Sequence, residues 1–263
     1  MSNGIIVFGH NSKEIDYVKM ASFSAKLANK NLSVPVSLIT DEDSLNNTEA
    51  DLKIFDQVIV KEKSKLLNTR MLQEKIIEFN NLNRSDAYNL TPYDRTLLID
   101  SDLLLYSNFL NNYWNYNSEF LICEGMNIIG EDNKFLDSVI SYNSIPTAYA
   151  TAIFFSKTEK VKQLFELVEY IKEHWKYFFD IYNMASNSFR NDFAFSIANH
   201  ILTGFKNPDN LLPKILMTSN KTEVKFLDTD KIILNVDGST VEITNTDVHI
   251  WNKISLLECL KNE

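Results

Sequence analysis

The stretch "TLLIDSDLLLYSN", residues 96–108, constrains this chain more than any other. The run Thr96–Ile99 leads straight into Asp100 and Asp102, with only Ser101 between the acids and no Lys or Arg in the stretch. Such a run, with no polar alternation, reads as a strand buried on both faces, as in a parallel sheet covered by helices. A buried carboxylate costs on the order of several kcal/mol unless something pairs with it. On an extended backbone, side chains two apart share a face, so the acids should converge where an α/β sheet opens at its strand ends. Two carboxylates held close repel each other and invite a divalent cation. Their oxygens suit Mg²⁺ or Mn²⁺, and phosphate oxygens commonly complete such a shell.

The remaining pattern fits the same class. "GIIVFGH" (4–10), "SVPVSLITD" (33–41) and "FDQVIVK" (55–61) are short apolar runs bounded by polar residues, which predicts strands. Residues 11–31 have helical spacing, with Asn11 or Ser12 as the N-cap, and 65–79 predicts a second helix ahead of the acidic strand. Strands alternating with helices imply an α/β fold with a mixed, mostly parallel central sheet and flanking helices. Beyond residue 110 the spacing predicts strands in 118–125 and 147–157 and one long amphipathic helix over 158–182, whose stripe Leu164, Phe165, Val168 and Ile171 is core. A shorter helix covers 191–204, stopped by Gly204, and a hairpin covers 231–244, turning at Asp237-Gly238. With no internal repeat and no linker rich in Gly, Pro or Ser, the expectation is a single domain over 1–263, with halves at 1–110 and 111–263.

Composition narrows the function classes. A net charge of −9 speaks against a surface that grips a phosphate backbone throughout. Cys123 and Cys259 match no ligand spacing and are too few for a disulfide framework, which predicts a reducing, cytoplasmic setting. The first twenty residues do not read as a signal peptide, and nowhere do eighteen apolar residues run together.

Leu90, Thr91, Tyr93, Asp94, Asp100, Asp102, Ser107 and Asn108 carry a more specific pattern. The segment 89–109 resembles that around the Asp-x-Asp of glycogenin-like retaining glycosyltransferases of GT-A (Rossmann-like) fold, and the chain is also similar to GT-A proteins of tailed phages. Shorter pieces follow the family's order: "HNSKEIDYVKM", "LNTRM", "TAYATAIFFSK", "FRNDFAFSIANHIL" and "DVHIWNK". The resemblance implies a metal set of Asp100, Asp102 and His249 holding Mn²⁺ (or Mg²⁺). It implies a nucleotide side of Phe8, His10, Asn11, Tyr17, Ser101 and Lys253, with Tyr17 packed on the base and Lys253 on the phosphates. Arg70 would reach the diphosphate or sugar, and Asp192 would serve the sugar or acceptor. Residues 1–110 would be the nucleotide-binding half and 111–263 the acceptor side. The implied donor is a nucleotide sugar, a UDP-sugar by family expectation. The acceptor is a hydroxyl of a modified DNA base, a glycan or a small metabolite, with the acidic balance against DNA. Two features depart from the family: the Gly usual after its late His is missing, and the spacing from His249 to Lys253 is short.

Each residue also has a plainer explanation. Tyr17 can be one face of an amphipathic helix, Arg70 a solvated helix residue, Asp192 a helix N-cap and His249 a packed histidine. His10 has no chemistry of its own on the sequence alone. Two other functions fit an Asp-x-Asp. A haloacid-dehalogenase-like phosphatase uses the motif, although there it follows the first strand, and a non-catalytic nucleotide-sugar binder would show a broken metal triad.

Overall fold

The computed structural model of the chain describes residues 2–62, 68–72, 75–79, 83–130, 139–140, 145–184 and 188–261. Its first half contains β1 (Asn3–Phe8), α1 (Tyr17–Leu32), β2 (Val36–Thr40), α2 (Glu42–Asn46), β3 (Gln57–Val60), β4 (Asn68–Leu72), β5 (Lys75–Phe79), α3 (Ala87–Leu90), β6 (Arg95–Ile99) and β7 (Leu103–Leu104). Then come β8 (Phe120–Cys123), β9 (Met126–Ile128), β10 (Tyr149–Ser156), α4 (Glu159–Glu173), α5 (Trp175–Ile181) and α6 (Asn191–Leu202). The chain closes with β11 (Leu211–Leu212), β12 (Ile215–Met217), β13 (Glu223–Leu227), β14 (Lys231–Val236), β15 (Ser239–Thr244), β16 (Val248–His249) and α7 (Lys253–Leu260).

The central sheet has the order β11-β8-β10-β6-β1-β2-β3. Strands β6, β1, β2 and β3 are parallel, whereas β10 opposes both of its neighbours. The sheet is thus mixed and mostly parallel, as the sequence predicted. Both faces are covered, which explains the unbroken apolar runs. Ile5, Val7, Leu97, Ile99, Ala152 and Phe154 pack on one side with Val18, Ala21 and Ala25 of α1. Ile6, Leu98, Ile153 and Phe155 pack on the other with Phe165 and Val168 of α4 and Phe195 of α6. Alternate residues of one strand therefore feed two cores.

A second sheet, β7-β16-β12-β9, sits at the end of β6. A third, β13-β14-β15, contains the expected hairpin, with Asp237 and Gly238 both at positive φ (49° and 85°). That pair of left-handed residues is what a two-residue hairpin turn needs. Ile232 and Leu234 of β14 join Met20, Phe23 and Leu27 of α1 and Leu256 and Leu260 of α7 in a third apolar cluster.

Four sequence expectations need correction. The helix expected over 65–79 does not form where the chain is described: β4 and β5 pair antiparallel, with Thr69 opposite Glu78. Short apolar runs fit either period, and here strand pairing wins. The helix over 158–182 breaks at His174, whose φ of −108° and ψ of 30° end α4 and begin α5. His174 Nδ1 lies 3.0 Å from the Tyr170 carbonyl and the two rings stack at 4.1 Å, so the side chain contacts the last helical turn. The break lets Trp175 turn back onto Phe189 and Phe193. The N-cap of α1 is Asp16, which accepts from Lys19 N at 2.9 Å, rather than Asn11 or Ser12. Finally, β6 ends at Ile99, so Asp100 and Asp102 do not lie on an extended strand. Gly204 does follow α6 with a φ of 75°, as the stop signal required.

Two outcomes follow from the packing. A Cβ at Gly4 would lie 2.4 Å from the Tyr93 ring, which is buried and fixed by a 2.7 Å hydrogen bond with Ser37 Oγ. Gly4→Ala should lower the unfolding free energy by about 1–3 kcal/mol in a urea titration, and an unchanged midpoint would contradict this contact. Burial pushes the Cys123 thiol up to about 12. Native protein treated with iodoacetamide at pH 8 should therefore be alkylated at Cys259, which is part-exposed, and not at Cys123 until denatured.

Candidate metal centre

The acidic pair is shaped by a turn. Asp100 N donates to Thr151 O of β10 at 3.0 Å, and Leu103 N donates back to Asp100 O at 3.1 Å, closing a four-residue β-turn at the carboxyl end of β6. β7 then pairs antiparallel with β16, setting His249 opposite Leu103 and Val248 opposite Leu104. Ile250 N donates to Asp102 O at 2.9 Å and continues the ladder onto the turn. The convergence expected of strand periodicity is thus achieved by a turn clamped between two sheets.

One ligand atom each from Asp100, Asp102 and His249 lies within 4.8 Å of the others. His249 Nε2 is 3.3 Å from Asp102 Oδ1 and 3.9 Å from Asp100 Oδ2. The Asp102 side chain is only 4% exposed and that of Asp100 28%, so the centre opens to solvent on the Asp100 side. Two hard oxygens and one imidazole suit Mg²⁺ or Mn²⁺, and a shared ion need draw them in only slightly.

Two cations of the chain flank the acids. Lys253 Nζ is 2.5 Å from Asp102 Oδ2, and Arg84 Nη1 pairs with Asp100 Oδ1. Burial by itself would raise the Asp102 carboxyl, yet the Lys253 ammonium and the His249 imidazole more than reverse that and hold it below the usual range. Arg84 is itself buried, and its Nε and Nη2 have no hydrogen-bond partner among the described residues. Neither motif nor spacing singled it out. It sits in a turn at 84–86 whose backbone no sequence signal ties to the acids, and only the fold sets it beside Asp100.

The other expected site residues are spread over several elements. Ser101 lies buried within the turn itself. Asp192, in the first turn of α6, accepts from Ala150 N at 2.9 Å and from Arg190 Nη2 at 2.9 Å. It is not the N-cap, which is Arg190, but ties α6 to β10 next to Thr151. Phe8 ends β1, and His10 and Asn11 follow it at the same edge of the sheet. Asn11 Oδ1 accepts from Val18 N at 3.0 Å while Asn11 N donates to Ser44 Oγ at 2.7 Å, so this residue staples the loop to α1 and α2. Tyr17 is 8% exposed and packs in the third apolar cluster, so its ring is a core element of α1. Arg70 lies on β4, and its side chain is outside the described residues.

No family model matches the chain, and no curated protein matches it. Among solved structures it is similar to the glycosyltransferase GlyE of Streptococcus pneumoniae TIGR4, at 12% identity over 81% of this chain and 45% of that one, with a TM-score of 0.45. It therefore spans less than half the length of that protein. It is also similar to the galactosyltransferase LgtC, solved with donor and acceptor sugar analogues (12% identity, 81% of this chain, 73% of that one, TM-score 0.49). A third likeness is to mouse xyloside xylosyltransferase 1 (9% identity, 82% of this chain, 85% of that one, TM-score 0.49). Likenesses this distant say nothing about substrate. Among the described residues, no helix is long and apolar enough to cross a membrane.

The pairing of Arg84 with Asp100 has a measurable consequence. Arg84→Met should leave Asp100 without that partner and lower the unfolding free energy by roughly 1–3 kcal/mol, the cost of an unmatched charged group that keeps some access to water. A loss below about 0.5 kcal/mol in chemical denaturation, the range of an ordinary surface change, would show that the pair is not maintained in solution.

Proposed function

We propose that the chain is a metal-dependent glycosyltransferase of GT-A type, acting as one domain whose first 110 residues serve the nucleotide and whose remainder serves the acceptor. It transfers a sugar from a nucleotide sugar, a UDP-sugar, to an acceptor hydroxyl with retention at the anomeric carbon. One observation carries this reading: two carboxylates and an imidazole converge at the carboxyl end of a parallel strand, flanked by Arg84 and Lys253. Ligands of open α/β sheets bind at that edge. A metal-binding triad with two adjacent cations matches the charge of a diphosphate held through a divalent ion.

The chain's own groups divide the work. Asp100, Asp102 and His249 would hold Mn²⁺ or Mg²⁺, which when bound stabilises charge on the departing diphosphate. Arg70 reaches the diphosphate or sugar, while Arg84 beside Asp100 and Lys253 beside Asp102 add two positive charges to the site. Asp192 orients the sugar or the acceptor from beside β10, or faces the positive charge that develops at the anomeric carbon. The loop after β1 and helix α2, tied together by Asn11 and Ser44, border the nucleotide side. The acidic surface favours a glycan or small hydroxylated acceptor over DNA.

A thermal-shift panel of nucleoside diphosphates and nucleotide sugars, each with and without Mn²⁺, tests the proposal. UDP with Mn²⁺ should raise the melting temperature while neither alone does so to the same extent. Asp102→Asn should abolish both the shift and metal-dependent hydrolysis of the donor, and His249→Ala should weaken Mn²⁺ binding by tenfold or more. Full activity in Asp102→Asn, or no shift with any nucleotide–metal pair, would sink the transferase assignment.

A further inference from the structure

The departure in spacing noted above, with Lys253 only four residues after His249, has a consequence at the centre. Lys253 is the first residue of α7. A cation there opposes the helix dipole. Asn252 caps the helix by accepting from Ser255 N at 3.2 Å, and that does nothing for the lysine charge. What offsets it is Asp102, whose Oδ2 lies 2.5 Å from Nζ in a site where the carboxylate is almost fully buried. A helix-start lysine is thus held by the very carboxylate that the metal needs.

The charge count points the same way. Asp100 and Asp102 carry two negative charges, and Arg84 and Lys253 match them with two positive ones. A divalent ion placed among these four groups leaves a surplus of about two positive charges in a half-buried site, with an ammonium on the other oxygen of the same carboxylate. Charges that close repel strongly in the low dielectric of a protein. Two changes relieve the repulsion: the ammonium leaves Asp102, or an anion enters with the ion. The four-carbon lysine stem permits the first without moving α7. A diphosphate supplies the second, and the N-terminus of α7 favours a phosphate beside the departing ammonium.

We propose that Lys253 and a divalent cation compete for Asp102, so that metal and the phosphates of the nucleotide bind as a coupled pair, with Lys253 passing from the carboxylate to the phosphates. This rests on the metal-dependent reading given above. It adds that the chain's affinity for metal alone is held down by its own lysine, and that the nucleotide restores it.

The test is Mn²⁺ binding followed by the electron paramagnetic resonance signal of the free ion, with no nucleotide present, on wild type, Lys253→Met and Lys253→Arg, each checked for native circular dichroism. Lys253→Met should bind Mn²⁺ at least tenfold more tightly than wild type, and Lys253→Arg should stay close to wild type. Equal or weaker binding by folded Lys253→Met overturns the proposal. Should that variant fail to fold, wild type decides: Mn²⁺ affinity should rise at least tenfold with saturating UDP, after correction for Mn²⁺ held by free UDP, and an unchanged affinity overturns the coupling. The two readings fail differently. A UDP- and Mn²⁺-dependent thermal shift in wild type with no gain in Lys253→Met removes the competition alone. No Mn²⁺ binding by any variant, with no thermal shift, removes the metal assignment as well.

Discussion

The short ladder between β7 and β16 is the contact on which the centre depends. Two residues from each strand pair, and Ile250 N adds a hydrogen bond to Asp102 O. Those few bonds bring a histidine from near the end of the chain to an acidic turn in its first half. The ladder forms because both segments are buried: Leu103, Leu104, Val248 and Ile250 are all inaccessible to solvent, so their backbone groups need partners within the protein. Ser24 Oγ and Asn31 Nδ2 of the α1 segment satisfy the carbonyls of Leu103 and Leu105, at 2.6 and 2.7 Å, and fix the same stretch from the other side. Helix α1 thus sets the floor of the centre while it covers the sheet.

Electrostatics then governs what this geometry can do. Asp102 is more deeply buried than Asp100, and it has both His249 and Lys253 against it. Asp100 keeps an opening to solvent and has Arg84. The acids are therefore unequal: one is anchored inside and one faces the entrance. Arg84 and Lys253 offset the charge that the two carboxylates would otherwise present to an anionic ligand.

Much of the architecture was legible in local patterns. The runs at 4–10, 33–41 and 96–99 are strands whose apolar density needs a core on both sides, and a covered parallel sheet supplies one, whereas the run at 55–61 forms the largely exposed edge strand β3. The Asp237-Gly238 turn was legible because few residue pairs accept two left-handed conformations in succession. Residues 65–79 were misjudged because their apolar spacing satisfies both a helix and a hairpin, and strand pairing decides. The break at His174 was hidden because the stripe continues through it; a side chain against the Tyr170 carbonyl ends the helix, and no spacing rule encodes that.

By itself, the sequence determined that the chain builds a covered, mostly parallel sheet, and that two acids two residues apart are able to hold a cation. Residue type and local spacing suffice for that, since they reflect backbone preference and the cost of burying charge. Only the tertiary structure decided that the acids converge through a turn and not along a strand, and that Arg84 is the cation set beside Asp100. It also decided that Lys253 pairs with Asp102. These depend on distances between segments far apart in the chain, which are fixed when the β7–β16 ladder and the helix packing close together, and no local pattern carries them.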